Sequence, residues 1–386
     1  MRIAFITPDD RDSFRHYADP RPYFSTGAMG LLDGLALLPE CEVHVVCCVR
    51  QPVAVPKKIG PNIFYHADIV PKWGWIRSAY LGCIHSIRQQ LRRIQPDIVH
   101  GQGTESYAGI CAVFSGFPNV LTIQGNMRLI AKLNNERMFS YNWLMARLEA
   151  FTLPRTDGVV CISHYTRRAV EKLARRTWVV PHAVRLPFLD QRPAAGPPAD
   201  ARPILLNVGV VSARKRQLEM LGLARNLWRR GFRFELRFIG TVQPHTPYDA
   251  EFLRQITQAQ ADGYARYLGW LETKELIAAL DDAAGIVHFP AEEAFGMVVS
   301  EALARNLKFF GAAVGGINDI ASGVEGVELF PADGWAALEN GIARWLESGS
   351  PRPASAAKTM SQRYHPEAIA RRHLEIYREV LANHRR

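Results

Sequence analysis

The residues best placed to do chemistry lie in FPAEEAFGMVVSEALARNLKFFGAAVGG, Phe289 to Gly316, where Glu293 and Glu301 stand eight residues apart around a Phe295-Gly296 turn. The apolar run Gly285 to Phe289 reads as a buried strand, and Glu292-Glu293 with Phe295-Gly296 as the turn after it. A helix starting near Gly296 leaves its first-turn N–H groups, through Met297 and Val298, without helical partners, and with the helix dipole this suits a phosphate. A second anion site is expected at Ser212-Ala213-Arg214-Lys215-Arg216, a basic loop between a strand and a helix at the strand's carboxyl end. At 100° per residue Val298, Val299, Ala302 and Leu303 form the inward stripe, and Glu301 falls off its edge beside Arg305, at the rim. Spacing alone favours an ordinary reading. Glu301 and Arg305 would be a surface i, i+4 pair worth about 0.2 to 0.5 kcal/mol, and Glu293 a first-turn charge favoured by the dipole; the basic loop would be solvated surface.

A resemblance changes the weighting. Glu293-Ala-Phe-Gly-Met-Val-Val-Ser-Glu301-Ala-Leu-Ala resembles the E-x7-E motif of family-4 (group 1) retaining glycosyltransferases of the GT-B fold. The resemblance implies that Glu293 contacts the donor sugar and Glu301 the ribose hydroxyls, with Phe295, Gly296, Met297 and Val298 lining the donor site between them. Asn207-Val208-Gly209-Val210 followed by Lys215 is similar to the segment whose Arg and Lys grip the donor pyrophosphate. Gly209 and Lys215 match, whereas Val210 stands where Arg is usual, leaving Arg214 or Arg216 to substitute. Tyr267-Leu268 corresponds to the strand that meets the nucleobase through backbone groups. Gln124 stands where a His touches the donor sugar, and Gly27 where a Gly-Gly faces the donor phosphates, the second glycine being Ala28 here. Gly315-Gly316 matches the family's glycine turn, with Asp319 where Glu is common. The resemblance implies a retaining, metal-independent sugar transfer from a nucleotide-sugar, UDP- or GDP-linked, to an acceptor hydroxyl of a glycan, a lipid-linked sugar or another glycoconjugate. Glu293 and Lys215 would be the catalytic residues, with no cofactor.

The elements that must position these residues are legible at coarse grain. The chain has 386 residues, 48% hydrophobic and 22% charged, which excludes disorder and is comfortable for two domains. Arg2 to Thr7 reads as a buried strand, Gly27 and Gly30 open a helix, and Cys41 to Val49 is the second strand. The glycines either pack loop on helix or face a ligand. Gln51 to Trp75 reads as irregular loops, Ile76 to Ile94 as one helix, and Pro96 to His100 as a strand whose histidine either lines a cleft or is a hydrogen-bonded scaffold residue. Val120 to Asn126 is a further strand, Gly158 to Ser163 the last strand of the first domain, and Ser163 caps a helix bearing Arg167, Arg168, Lys172, Arg175 and Arg176. Leu186 to Pro203, with five prolines, is the linker. Beyond it come strands at Ile204 to Val211, Phe234 to Gly240 and Tyr264 to Gly269, a helix capped by Thr273, and a final helix from Pro366 to Leu381. The expected architecture is α/β, GT-B, two doubly wound Rossmann-like domains facing across a cleft. Residues 1–187 would form the acceptor-side domain, 188–362 the nucleotide-sugar domain, and 363–386 a C-terminal helix crossing back to the first.

Six cysteines without C-x-x-C spacing, all in the first half, read as reduced core residues. The Asp10-Arg11-Asp12 triplet has the spacing of a metal site but reads as a solvated loop. A net charge of +10 favours polyanionic partners without choosing one. The basic faces at Arg88, Arg92, Arg93 and on the Arg167 to Arg176 helix are either solvated or touch an anionic membrane peripherally. Interleaved aromatics are missing there, so no nucleic acid is expected. No signal-like segment and no run of 18 apolar residues point to a cytoplasmic protein, with the inner face of the plasma membrane as its peripheral station. Donor, acceptor, linkage and oligomeric state are not legible. A sugar-nucleotide epimerase and a catalytically silent cationic module on the same fold stay open, since fold does not fix function.

Overall fold

Short runs of Val, Ile, Leu and Phe between glycine or polar turns suit strands buried on both faces, and such strands pair in parallel when helices cover the sheet. The computed structural model describes residues 1–190, 202–242 and 246–384. It divides into two units, Met1–Arg185 with Tyr364–Arg386, and Leu186–Arg363.

The first unit is built on β1 (Arg2–Ile6), β2 (Glu42–Val49), β3 (Lys58–Gly60), β4 (Ile63–Ile69), β5 (Ile98–Gln102), β6 (Asn119–Ile123), β7 (Val159–Cys161) and β8 (Thr177–Val179). Their order is β3-β4-β2-β1-β5-β6-β7-β8, parallel except for the β3–β4 hairpin. The second unit carries β9 (Ile204–Val208), β10 (Glu235–Ile239), β11 (Ala265–Gly269), β12 (Gly285–His288), β13 (Lys308–Ala312) and β14 (Val327–Phe330), ordered β11-β10-β9-β12-β13-β14 and wholly parallel. Both are doubly wound Rossmann-like sheets, as expected.

Several expectations are corrected. The Gln51–Trp75 region is not irregular throughout: β4 pairs with β2 over seven residues, Val43 with Ile63 through Val49 with Ile69. The helix expected from Ile76 breaks at Ala79 and Tyr80, both left-handed, and resumes as Leu81–Ile94. Ser163 does cap its helix in a capping box with Thr166, but that helix ends at Val170, so Arg175 and Arg176 lead instead into β8, the true last strand. Of the expected linker, residues 191–201 lie outside the described residues, and Leu186–Leu189 is a short helix. Glu272, not Thr273, precedes the helix Thr273–Asp282 as its cap. The Asp10-Arg11-Asp12 triplet is not a solvated loop. Arg11 is fully buried, its Nη2 2.7 Å from Asp9 and 3.1 Å from the Tyr65 hydroxyl, and Asp12 is buried against Arg50. A buried guanidinium is tolerable only with this degree of pairing.

The final helix, Pro366–His384, belongs to the first unit and packs on the helix Thr26–Ala36. Its buried face, Ile369, Ala370, Leu374, Ile376, Tyr377 and Val380, joins the same core as Leu31, Leu35 and the strands. The approach is close enough that a Cβ at Gly34 would lie 2.1 Å from the Pro366 carbonyl oxygen. His100 is a scaffold residue: it is fully buried, with Nδ1 2.6 Å from the Tyr377 hydroxyl and Nε2 2.7 Å from Thr122 Oγ1. All six cysteines are buried and unpaired.

Candidate active site

In the second sheet the chain runs outward from β9 through β10 to β11, then returns to β12 on the other side of β9. Strand order therefore reverses between β9 and β12, and their carboxyl ends diverge to leave the crevice where open α/β sheets bind ligands. Only Leu205 and Leu206 pair with β12. Just beyond, Asn207 Nδ2 donates to the Val287 carbonyl at 2.9 Å and ties the two strands where they part.

The loops at this reversal carry the charged groups. After β9 the chain turns through Ser212 to Arg216 before the helix Gln217–Arg229, and Lys215 points from that turn. After β12 it runs through Glu292 and Glu293 to Gly296. The Ala291 N–H donates to the Arg214 carbonyl at 2.8 Å, so the two loops are laced by backbone. Lys215 Nζ donates to Glu293 Oε2, and His288, the last residue of β12, places Nε2 2.9 Å from the same oxygen and 3.5 Å from Lys215 Nζ. The carboxylate only accepts, so His288 Nε2 carries the hydrogen. Side-chain exposure is 15% for Lys215, 12% for Glu293 and 2% for His288. Burial pushes the Glu293 carboxyl up, but the Lys215 charge and the His288 bond outweigh it and hold the group far below the usual carboxylate range. Burial and then the Lys215 charge lower His288, which is therefore neutral at pH 7.

Two glycines make this turn buildable. Gly296, at φ +102°, precedes the helix Met297–Leu303 in a conformation that L side chains rarely adopt. Gly315 passes so close that a Cβ there would lie 1.8 Å from the Glu293 carbonyl oxygen, which the Gly316 N–H engages at 3.0 Å.

The rim position expected for Glu301 is corrected. It is 3% exposed, and Ser300 is fully buried, whereas Val298 of the expected inward stripe is half-buried. The short helix is covered on more of its circumference than one stripe. Nor does Glu301 form a surface pair with Arg305, whose guanidinium is held by Asp281 at 2.7 and 2.6 Å. Phe295 is buried and Met297 half-buried at the start of the helix.

Arg214 is engaged by Glu292, with Nη1 3.0 Å from its carbonyl and 3.3 Å from Oε2. Arg216 turns away to the Ala332 carbonyl at 2.6 Å. Val210 is exposed and Gly209 sits at φ +150°. Tyr267 and Leu268 are half-buried on the edge strand β11, two strands from β9; the Tyr267 N–H donates to Gln260 and its hydroxyl to the Gly240 carbonyl. Lys215, Glu293 and Gly209 thus meet at one strand reversal, with Arg214 beside them. Sequence reasoning missed His288. The available signal was a histidine closing a strand directly before the Glu293 turn.

Gly27 and Gln124 belong to the first unit. Gln124 Nε2 donates to Gln102 Oε1 at 3.1 Å and its Oε1 accepts from Ser25 at 3.3 Å. A Cβ at Gly27 would lie 2.4 Å from the His182 ring, so this glycine serves close packing of the chain. The first sheet reverses between β1 and β5, and a cavity of about 160 Å³ opens there, lined by Asp12, Arg50, Trp75, Tyr80, Tyr107 and Tyr141. The Arg50 guanidinium lies 4.1 Å from the centroid of the Trp75 ring. Among the described residues no group of three or more His, Cys, Asp or Glu is arranged to hold a metal, and no helix is long and apolar enough to cross a membrane.

Residues 28–187 match Glycosyltransferase Family 4, and residues 190–363 match Glycosyl transferases group 1. A sucrose synthase from Acidithiobacillus caldus is 34% identical over 132 residues, which span 31% of this chain and 16% of that protein. Among solved structures, sucrose-phosphate synthase from Thermosynechococcus elongatus superposes with a TM-score of 0.75 at 17% identity, covering 99% of this chain and 100% of the other. Anabaena HepE in complex with UDP-glucose gives 0.71 at 16% identity over 99% and 100%. The lipopolysaccharide outer core galactosyltransferase WaaB gives 0.67 at 16% over 98% and 100%. With two family matches that between them span residues 28–187 and 190–363, most of both units, the chain belongs to the family-4, group 1 glycosyltransferases and has the GT-B fold.

Proposed function

We propose that the protein is a retaining glycosyltransferase that takes a sugar from a UDP- or GDP-sugar without a metal ion, and passes it to an acceptor hydroxyl in glycoconjugate or polysaccharide synthesis. The observation that carries this reading is the Lys215–Glu293–His288 cluster at the strand reversal of the second unit. A cation and an anion held together in a buried crevice are poised to part onto a ligand that offers an anion and hydroxyls. A nucleoside diphosphate-sugar offers both. Lys215 would move to the diphosphate and neutralise the charge that grows there as the glycosidic bond breaks, the point at which fixed charge accelerates a reaction most. Arg214 and the N–H groups at Gly296, Met297 and Val298 would add to that field. Glu293, released from Lys215, would meet the sugar hydroxyls, and Glu301, inside the adjoining helix, the ribose.

UDP is the favoured nucleotide, because HepE is solved with UDP and with UDP-glucose. We favour a same-face displacement assisted by the leaving phosphate. The acceptor is assigned to residues 1–187 and the donor to residues 188–362, in a cytoplasmic protein that touches a membrane only peripherally. The aromatic cavity at the first strand reversal has the size of a few waters, on the order of one sugar ring. The test is a panel of nucleotide-sugars scored by thermal shift and by donor hydrolysis. Stabilisation and slow hydrolysis by one nucleotide class support the transferase; stabilisation without turnover supports a silent binding module; no response to any member removes the reading.

A further inference from the structure

His288 is the one group in the cluster that the proposed reaction leaves unused. It closes β12 with its ring fully inside the protein, and its Nε2–H is aimed at the same Glu293 oxygen that Lys215 engages. Among the described residues, Lys215 and Glu293 touch it, and Arg214 from the loop after β9 acts on it at longer range. Two cations sharing one carboxylate would repel each other, and at 2% exposure water offers little screening, so the imidazole stays neutral while Lys215 holds Glu293. Drawing Lys215 away reverses that balance. Glu293 would then be a buried carboxylate whose remaining partner in the cluster is a neutral N–H donor, and the second ring nitrogen of His288 offers a place for a compensating proton.

We propose that His288 is a positioning residue that keeps Glu293 aimed at the sugar and takes up one proton from solvent when Lys215 passes from Glu293 to the donor diphosphate. The inference rests on the transferase reading of the site. The proton balance is simple: one H⁺ enters with each donor bound and leaves with the nucleotide, and no bond other than N–H forms or breaks. Because the bound state holds more protons, donor binding tightens as pH falls through the titration of the bound form, and the effect ends once the free form is itself protonated.

Calorimetric titration of UDP-glucose and GDP-mannose in buffers of different ionisation enthalpy measures the uptake directly. A nucleotide-sugar has no terminal phosphate monoester titrating near pH 6, so its own protonation does not intrude. The wild type should take up between about half and one proton per donor near pH 7, and affinity should rise severalfold between pH 8 and pH 6.5. His288→Gln keeps an N–H donor but cannot be protonated. It should retain kcat within about threefold, lose the proton uptake and flatten the pH dependence of KM. His288→Leu loses both functions, and kcat should fall at least tenfold with nucleoside diphosphate affinity changed far less. Binding by the wild type without proton uptake, or equal losses in the Gln and Leu variants, would overturn the role given to His288 while leaving the transferase reading intact. Absence of binding by the wild type to either nucleotide-sugar, and to their free nucleoside diphosphates, would overturn both.

Discussion

Lys215→Met removes one charge from the crevice and keeps the length of its apolar stem. A unit charge about 4 Å from a phosphate oxygen contributes about 4 kcal/mol at an effective dielectric near 20, a fair value for a side chain at 15% exposure. In the resting protein Lys215 already has that attraction to Glu293. Ground-state binding therefore exchanges one anionic partner for another, and most of the gain cancels. The cancellation fails in the transition state, where the leaving diphosphate carries charge that the bound donor did not. The expected result is a fall in kcat of about a hundredfold to a thousandfold with KM for the donor within about tenfold. Lys215→Arg should recover a large part of kcat. A stability signature accompanies the kinetic one. Glu293 has a folded pKa below its unfolded value, so it stabilises the protein above the unfolded value of about 4.3, and that contribution is lost as pH falls. Without Lys215 it shrinks, so the variant should be destabilised by about 1 to 3 kcal/mol at pH 7 and converge on wild type in acid. Urea melts at pH 7 and at descending pH below 4, where the gap narrows, beside steady-state kinetics read all of this. A kcat within threefold of wild type, with donor turnover intact, would refute the assignment of Lys215 to the diphosphate.

Glu301→Ala should weaken nucleoside diphosphate binding about tenfold to a hundredfold, the loss of charge-assisted bonds worth about 1.5 to 3 kcal/mol, whereas Glu293→Ala should leave that affinity nearly intact and lower turnover severely; calorimetry with UDP beside kinetics separates the two. Turnover should survive EDTA at saturating donor, and loss restored by Mg²⁺ or Mn²⁺ would show that a metal supplies the neutralisation assigned to Lys215. Binding to anionic vesicles should be weak and salt-sensitive, each basic residue contributing about 1 kcal/mol within a screening length of roughly 8 Å. Reversing Arg167, Arg168, Arg175 and Arg176 to Glu should abolish co-sedimentation, and unchanged co-sedimentation would count against a membrane station. Gly34→Val should cost at least about 3 kcal/mol of stability, because its Cβ would overlap the Pro366 carbonyl and neither backbone can retreat; an unchanged melting temperature would contradict the contact.

Of the two sheets, β1, β2, β5 to β7 and β9 to β12 were legible in the sequence because they are largely apolar runs, whereas β3, β8, β13 and β14 were not read. β4 escaped because Ile63 to Ile69 carries Tyr65, His66 and Asp68, so neither a clean alternation nor an apolar run shows; its identity comes from pairing with β2. Arg11 was misread for a similar reason. A charge in a short polar loop is normally solvated, and only the fold brings Tyr65, 54 positions away, onto it. In the candidate site, motif spacing located Glu293 and Lys215 separately, yet nothing local says that they touch. Their contact spans 78 positions and is created by the reversal of strand order, a property of sheet topology. Glu301 was placed at a rim by a wheel that assumes one buried stripe, and the helix Met297–Leu303 is too short and too enclosed for that assumption.

The return of the final helix to the first unit has a consequence for how the chain is made. Residues Tyr364–Arg386 complete a core begun by Met1–Arg185, and everything between them belongs to the other unit. On the ribosome, Leu186–Arg363 emerges as one contiguous stretch and can close its sheet while the earlier unit still waits for its last helix. Until Ile369, Leu374 and Tyr377 arrive, the helix Thr26–Ala36 and the buried His100 lack their cover. The unit synthesised first should thus be the last to become protease-resistant, an inversion of the usual N-terminal-first order. In the interval its uncovered apolar surface is the part of the nascent chain most in need of a chaperone.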